Sequence, residues 1–468
     1  SPWTKIRKAT EFSPCCPQST TGLDYNVTHT SEDCLYLNLW TPARSPSDRL
    51  PVMVWIHGGS YINGAGSLPM FDGADLAKKD VVLVTINYRL GPFGFFTHRL
   101  LSAESPRGVS GNYGLLDQIA ALQWVQKNIS SFGGDPLRVT VFGESAGASS
   151  ISRLVVSPLA KGHFQRAIIQ SGGPFDNVFL LPNASTPMKQ AERAGRQLVK
   201  ALGYDKAPDV LAAMRTISSE KIMAAAKPAP CPHAPGMHFG PVVDGWVLPD
   251  NPWALFAEGK YHDVPIIIGC NADEGSQFIA TMPFNKPAFY KQIVQGLFGV
   301  KYAKDMLVLF PASQSSEVKP ALNKLVTAMG FASPARFTAK AMDRNRAKAY
   351  LYHFTHLPQT KKAKRLGVYH GLEIPYVFGK LNASEGYNDK DFALSGIMMD
   401  YWVSFAATGD PNSPDRPHWP SYDGRTDQYL ELSDPITVQS GLYKQACDLI
   451  EKIHSDRKRK VPVRKRGR

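Results

Sequence analysis

Several things are missing or scarce in this chain of 468 residues. No run of about 18 uninterrupted apolar residues occurs, and even "VVLVTINYRLGPFGFF" carries Asn87 and Arg89 in its middle, which argues against a membrane span. Six cysteines are too few for a disulfide scaffold at this length, and no Cys/His group has zinc-site spacing, so no metal is indicated. The Gly-Lys-Ser/Thr ending of a P-loop and the G-x-G-x-x-G of a dinucleotide fold are both absent, which leaves phosphate and nucleotide cradles without support. Internal repeats and Gly/Ser or Pro linkers are also lacking, which favours one domain over residues 1–456. The opening "SPWTKIRK" has no apolar core of a secretory signal.

Acid is absent from the last twelve residues, "RKRKVPVRKRGR". Their eight Lys or Arg take eight of the thirteen net positive charges and leave +5 on residues 1–456. The basicity is therefore mostly a tail over 457–468, read as solvated and disordered. It has no interleaved aromatics and the body has no nucleic-acid signature, so a nucleic-acid partner is not expected. Nothing in the pattern fixes an oligomeric state.

What is present is a folded, hydrophobic chain, 43% of it apolar, enough for a sizeable core. Short β-branched runs recur at 52–56, 81–88, 138–142, 167–171, 265–270 and 349–354, and read as strands. Between them, 115–129 repeats Leu115, Ile119, Leu122 and Val125 at spacings of three and four, a helix with one apolar face. Alternation of this kind predicts an α/β fold with a mostly parallel sheet. The stretches 176–260 and 277–345 read as helical excursions that cover a site.

In "LRVTVFGESAGASSI" a strand runs through Gly143-Glu144-Ser145-Ala146-Gly147 into a helix, the context of a nucleophile elbow. A serine hydroxyl needs a base to take its proton and a carboxylate to orient that base. Glu274, just beyond the run 265–270, and His370, in a loop after 349–354, supply them in the order Ser, Glu, His. Taken singly, each would pass as structural. The glycine-rich loop of "VWIHGGSYINGAG" offers the N–H groups of Gly59 and Ser60 to an oxyanion, and Ala146 after the nucleophile offers a third. Phe175 and the run Met398, Met399, Tyr401 and Trp402 are candidate pocket residues, although helical spacing suits core packing as well. Among Cys15, Cys16 and Cys34 one disulfide would close a loop of about 18 residues and contribute on the order of 3 kcal/mol, which implies an oxidising compartment. Sequons at Asn26, Asn128, Asn183 and Asn382 are compatible with secretion.

The blocks "SEDCLYLNLWTP", "VMVWIHGGSYINGAG", "NYRLGPFGFF", "GNYGLLDQIAALQWVQKNISSFGGDP", "VTVFGESAGASS", "AIIQSGGP", "GPVVDGWVLP", "ADEGS" and "YHGLEIPYVFG", in this order, resemble the type B carboxylesterase and cholinesterase family of α/β-hydrolases. The likeness extends through "DYWVSFAATGDPN" and "WPSY". It implies an α/β-hydrolase fold and a serine esterase working through an acyl-enzyme, with Ser145 as nucleophile, His370 as base and then acid, and Glu274 as orienting carboxylate. It implies an oxyanion hole at Gly59, Ser60 and Ala146, no cofactor and a small-molecule ester substrate. Ser171 of "QSGG" matches a family serine near the catalytic histidine. Cys34 matches one end of a disulfide loop, with Cys16 the better partner and Cys15 the alternative, and this bridge implies a secreted or periplasmic protein.

Three departures from the family pattern matter. Ser60 stands where many members have a third glycine, and the same "HGGS" occurs in neuroligins, the non-catalytic adhesion branch, which makes an adhesion module the alternative reading; amide or thioester hydrolysis by the same triad is another. Residues 17–33 lack the tryptophan with which cholinesterases bind a quaternary ammonium, and Tyr25 is a weaker substitute, so a choline ester is not expected. The family's N-terminal strands, which precede the segment matching "SPW", do not occur in this chain, and a sheet without them would lose an edge.

Overall fold

A computed structural model describes residues 8–18, 27, 29–174, 186–227, 237–283, 285–344 and 346–460. Tyr25, Asn26, Phe175 and Asn183 lie outside the described residues. The chain forms two compact units, each assembled from separated stretches: residues 1–141, 158–164 and 185–249 make the first, and 142–157, 165–184 and 250–468 the second.

In the first unit, β1 (Leu37–Trp40) runs antiparallel to β3 (Val82–Ile86), with Leu37 opposite Ile86, while β2 (Leu50–Ile56) lies parallel to β3, with Val52 beside Val82. Val52 to Ile56 and Val82 to Ile86 are wholly buried. That is why both read as unbroken apolar runs: a parallel strand is covered on both faces. The helix Tyr113–Asn128 buries Leu115, Ile119, Leu122 and Val125, the four positions its spacing predicts. Cys16 is bonded to Cys34, and Cys15 is a buried free thiol whose N–H and C=O pair with the backbone of His29 and Ser31.

Strand β4 (Gly134–Glu144) carries the chain onward, its residues from Phe142 belonging to the second unit. There the strands β5 (Arg166–Gln170), β6 (Ile266–Asn271), β7 (Ala349–Phe354) and β8 (Gln428–Leu432) are parallel in that order, and β9 (Thr437–Ser440) folds back antiparallel on β8. All six runs read as strands from sequence are strands, whereas β1, β8 and β9 went unread. The excursions are helical where described, among them Met188–Ala201, Pro287–Leu309, Ser315–Thr327 and Ser333–Met342. The last helix, Lys444–Lys460, enters the stretch read as a disordered tail, and residues 461–468 lie outside the described residues.

The aromatic run near residue 400 belongs to the core. Trp402 packs edge-on against Tyr352 at 5.7 Å, Tyr401 against Trp419 at 5.3 Å, and these rings and Met398 are fully buried; Met399 is half-buried. Of the two described sequons, Asn382 is exposed and accepts the Ser384 N–H, whereas the Asn128 amide donates to the Trp124 carbonyl.

Candidate active site

Strand β4 delivers the chain to Ser145, which turns sharply at φ 55° and ψ −118° before the helix Ala146–Val156 begins. A left-handed conformation at a non-glycine residue costs on the order of 1–3 kcal/mol and persists only when its surroundings over-determine it. Here they do. The Ser145 N–H donates to the Gln170 carbonyl (2.9 Å), and the Ser145 carbonyl accepts from the Ser149 N–H (2.8 Å). A Cβ on Gly172 would stand 2.6 Å from the Ala148 Cβ and 2.9 Å from the Ser145 carbonyl, so only glycine lets the end of β5 pass the elbow. The Ala146 N–H heads the helix, where no earlier turn supplies a carbonyl.

Glu274 follows β6 by three residues and is fully buried; its Oε1 accepts the Asn271 N–H (2.7 Å), and its Oε2 lies 2.6 Å from His370 Nδ1. A carboxylate oxygen accepts, so the contact fits an Nδ1–H that donates to Glu274. The rings of Phe278 and Phe331 flank the imidazole at 5.1 and 5.0 Å. The structure thus brings Glu274 and His370 into contact, as their order in the sequence requires.

Two further carboxylates, not picked out in the sequence, share this pocket. Glu144 Oε1, at the end of β4, stands 3.1 Å from His370 Nε2, close enough for charge attraction though not aligned as a hydrogen bond. Glu373 accepts from the Gln170 side chain (3.2 Å) and the Asn271 amide (2.5 Å), while Gln170 accepts from Trp402 Nε1 (3.1 Å). The available signals were modest: a charge inside "VFGESAG", and another three residues after His370 in "HGLE".

Burial alone would pull the His370 pKa down, but the charges of Glu144 and Glu274 outweigh it and raise it to about 9. Burial pushes Glu144 up to about 8 against the attraction of His370, and burial with the Glu274 charge lifts Glu373 to about 7. Imidazole and carboxylates therefore titrate together, and a charged imidazole would have to lose its Nε2 proton before that nitrogen could accept one. Glu144→Gln removes the nearest of these negative charges. The acid limb of a kcat/KM profile is expected to move to lower pH by about one unit or more, and an unmoved limb would refute this account of the pair.

Ser171 is also left-handed (φ 52°) and buried; its N–H donates to the Gly269 carbonyl, and its hydroxyl makes no hydrogen bond among the described residues. The first unit holds Gly59 and Ser60 in the loop after β2, at φ 101° and 56°. A Cβ at Gly59 would stand 2.1 Å from the Asn63 carbonyl, which makes glycine obligatory there. The Gly59 carbonyl accepts from the N–H groups of Ile62 and Asn63, which closes this loop on itself.

A model of the carboxylesterase family matches residues 1–450. The chain is 38% identical to a fumonisin B1 esterase of Sphingopyxis macrogoltabida over 90% of its own length and 77% of the relative's. It is 37% identical to the para-nitrobenzyl esterase of Bacillus subtilis (strain 168), covering 94% of this chain and 87% of that one. A solved structure of a PNB esterase superposes with a TM-score of 0.81 at 34% identity, over 96% of this chain and 90% of its own.

Proposed function

Because the chain belongs to the carboxylesterase family and is a carboxylic-ester hydrolase of the α/β-hydrolase fold, we propose that it works through an acyl-enzyme on Ser145, with His370 and Glu274 completing the triad. Ser145 Oγ attacks the ester carbonyl carbon as His370 Nε2 takes its proton. The negative oxygen that develops is met by the Ala146 N–H at the head of the helix, and the family resemblance implies Gly59 and Ser60 as its further donors. The bond to the leaving alcohol breaks as His370 returns the proton, and a water deprotonated by the same nitrogen then releases the acid. Glu274 holds the Nδ1 proton and so fixes which nitrogen is the base. Ser171, just past β5, is a supporting candidate near the histidine, as the family resemblance implies.

The observation that carries this reading is the 2.6 Å contact between buried Glu274 and His370, in the same unit as a serine held in a strained strand-to-helix turn. The catalytic reading takes precedence over the adhesion module raised by "HGGS". The Cys16–Cys34 bridge supports a secreted or periplasmic site of action, and among the described residues no helix is long and apolar enough to cross a membrane. The relatives are named for different esters, and this chain's substrate is proposed at the level of small-molecule carboxylic esters.

An alkyl fluorophosphonate separates an armed serine from an inert one. Stoichiometric labelling of the peptide that contains Ser145 is expected, together with a burst of p-nitrophenol whose size equals the enzyme concentration. A folded protein that neither labels nor turns over any p-nitrophenyl ester from acetate to decanoate would defeat the proposal, whereas the chain-length optimum of an active one sizes the acyl pocket.

A further inference from the structure

We propose that Asp273 is a positioning residue that locks the Glu274 loop to the His370 loop, so that the acid and base of the triad keep their separation while charge passes between them. The inference rests on the triad reading above and adds a residue to it.

Glu274 and His370 come from loops after different strands, β6 and β7, and a contact of 2.6 Å between two loops has to be held from outside. Asp273 ties them at two points. Its N–H donates to the Val368 carbonyl (2.9 Å), and its Oδ2 accepts the Val368 N–H (2.9 Å), so backbone and side chain grip the residue two before His370. Its other oxygen accepts from the Asn323 amide (2.7 Å), which fastens both loops to the helix Ser315–Thr327.

The neighbouring glycines are shaped around this clamp. Gly367 is left-handed (φ 70°), and a Cβ there would stand 2.2 Å from Asp273 Oδ2; a Cβ on Gly275 would stand 2.8 Å from the Asn323 carbonyl. Gly367 thus keeps open the space that the carboxylate occupies, and Gly275 the close approach of the helix that carries Asn323. Its charge is directed away from the imidazole, into N–H donors, so its contribution to the reaction runs through geometry.

The test compares Asp273→Ala, Asp273→Asn and Asn323→Ala with the parent enzyme on a p-nitrophenyl ester. Asp273→Ala is expected to lower kcat about a hundredfold with little change in KM, because misplacement of a catalytic pair by about 1 Å costs that much. The acid limb of kcat/KM should move to lower pH as His370 loses contact with Glu274, and the far-downfield proton resonance of the Nδ1–H bond should shift or vanish. Asp273→Asn should recover most of the activity: its carbonyl accepts the Val368 N–H, and once the Asn323 amide turns over, its own amide donates to Asn323 Oδ1, which among the described residues has no hydrogen-bond partner. Asn323→Ala should shift kcat, pH limb and resonance in the same direction by a smaller amount.

A merely structural role would lower the melting temperature and leave limb and resonance in place. If Asp273→Ala does not fold, the other two variants decide the matter. Parent-like kcat and limb in folded Asp273→Ala, or in Asn323→Ala when the former is lost, would overturn the clamp as long as Ser145→Ala is inactive. Full activity in Ser145→Ala would mean that the triad reading had failed first.

Discussion

Ser145→Ala is expected to lower kcat on a p-nitrophenyl ester by about 10⁵- to 10⁶-fold, the loss that follows removal of a nucleophile from a triad acting as a unit. A residual rate above that of water alone should survive, since the oxyanion donors and substrate binding do not depend on the hydroxyl. The fold should be unaffected. The main-chain bonds that hold the turn, Ser145 N–H to Gln170 and Ser149 N–H to Ser145, involve no side-chain atom, and alanine adopts the strained φ no less readily than serine. Activity in the variant, measured with unchanged circular dichroism and free of contaminating esterase, is the result that would remove Ser145 from the mechanism.

Glu274→Gln should cost about 10⁴-fold in kcat, through a change of tautomer more than a loss of structure. The glutamine carbonyl can still accept the Asn271 N–H, as Glu274 Oε1 does now at 2.7 Å. Its amide would then face His370 Nδ1 as a donor. Nδ1 would have to become the acceptor, the neutral ring would carry its proton on Nε2, and the nitrogen proposed as the base would have no lone pair with which to take a proton. Glu274→Asp, one methylene shorter, keeps the charge and should lose less. Equal kcat in the Gln variant and the parent would show that the carboxylate does not set the tautomer.

The strands that were legible in the sequence are those buried on both faces. Ile266 to Ile268 and Val82 to Val84 have no exposed side to interrupt the apolar run. The missed strands lie where that signal fails: Leu37–Trp40 is half-buried throughout, and Thr437–Ser440 turns most of its length to solvent. Glu274 and His370 stood out in the sequence because a nucleophile elbow calls for a base and an acid in a known order, and the structure places the two 2.6 Å apart. Glu144, Glu373 and Gln170 could not. A buried polar group in an apolar segment signals a partner without saying which, and their partners lie up to 232 residues away along the chain. The family resemblance decided between Cys15 and Cys16, because two adjacent cysteines offer the same loop length to Cys34.

Ser145 caps a helix directly after β4, Glu274 follows β6 by three residues, and His370 comes after β7 and the short helix Lys361–Leu366, while the long helical excursions leave and rejoin the chain between them. Substitution at exposed positions of the excursions therefore leaves the spacing of the proposed triad to the strand ends and to the Asp273–Asn323 tie. Selection for a new ester can act on one set of residues while the chemistry stays fixed by another. Such a division makes the enzyme evolvable: a library confined to the exposed and half-buried positions of the helix Pro287–Leu309 should yield many folded, active variants that differ in what they hydrolyse.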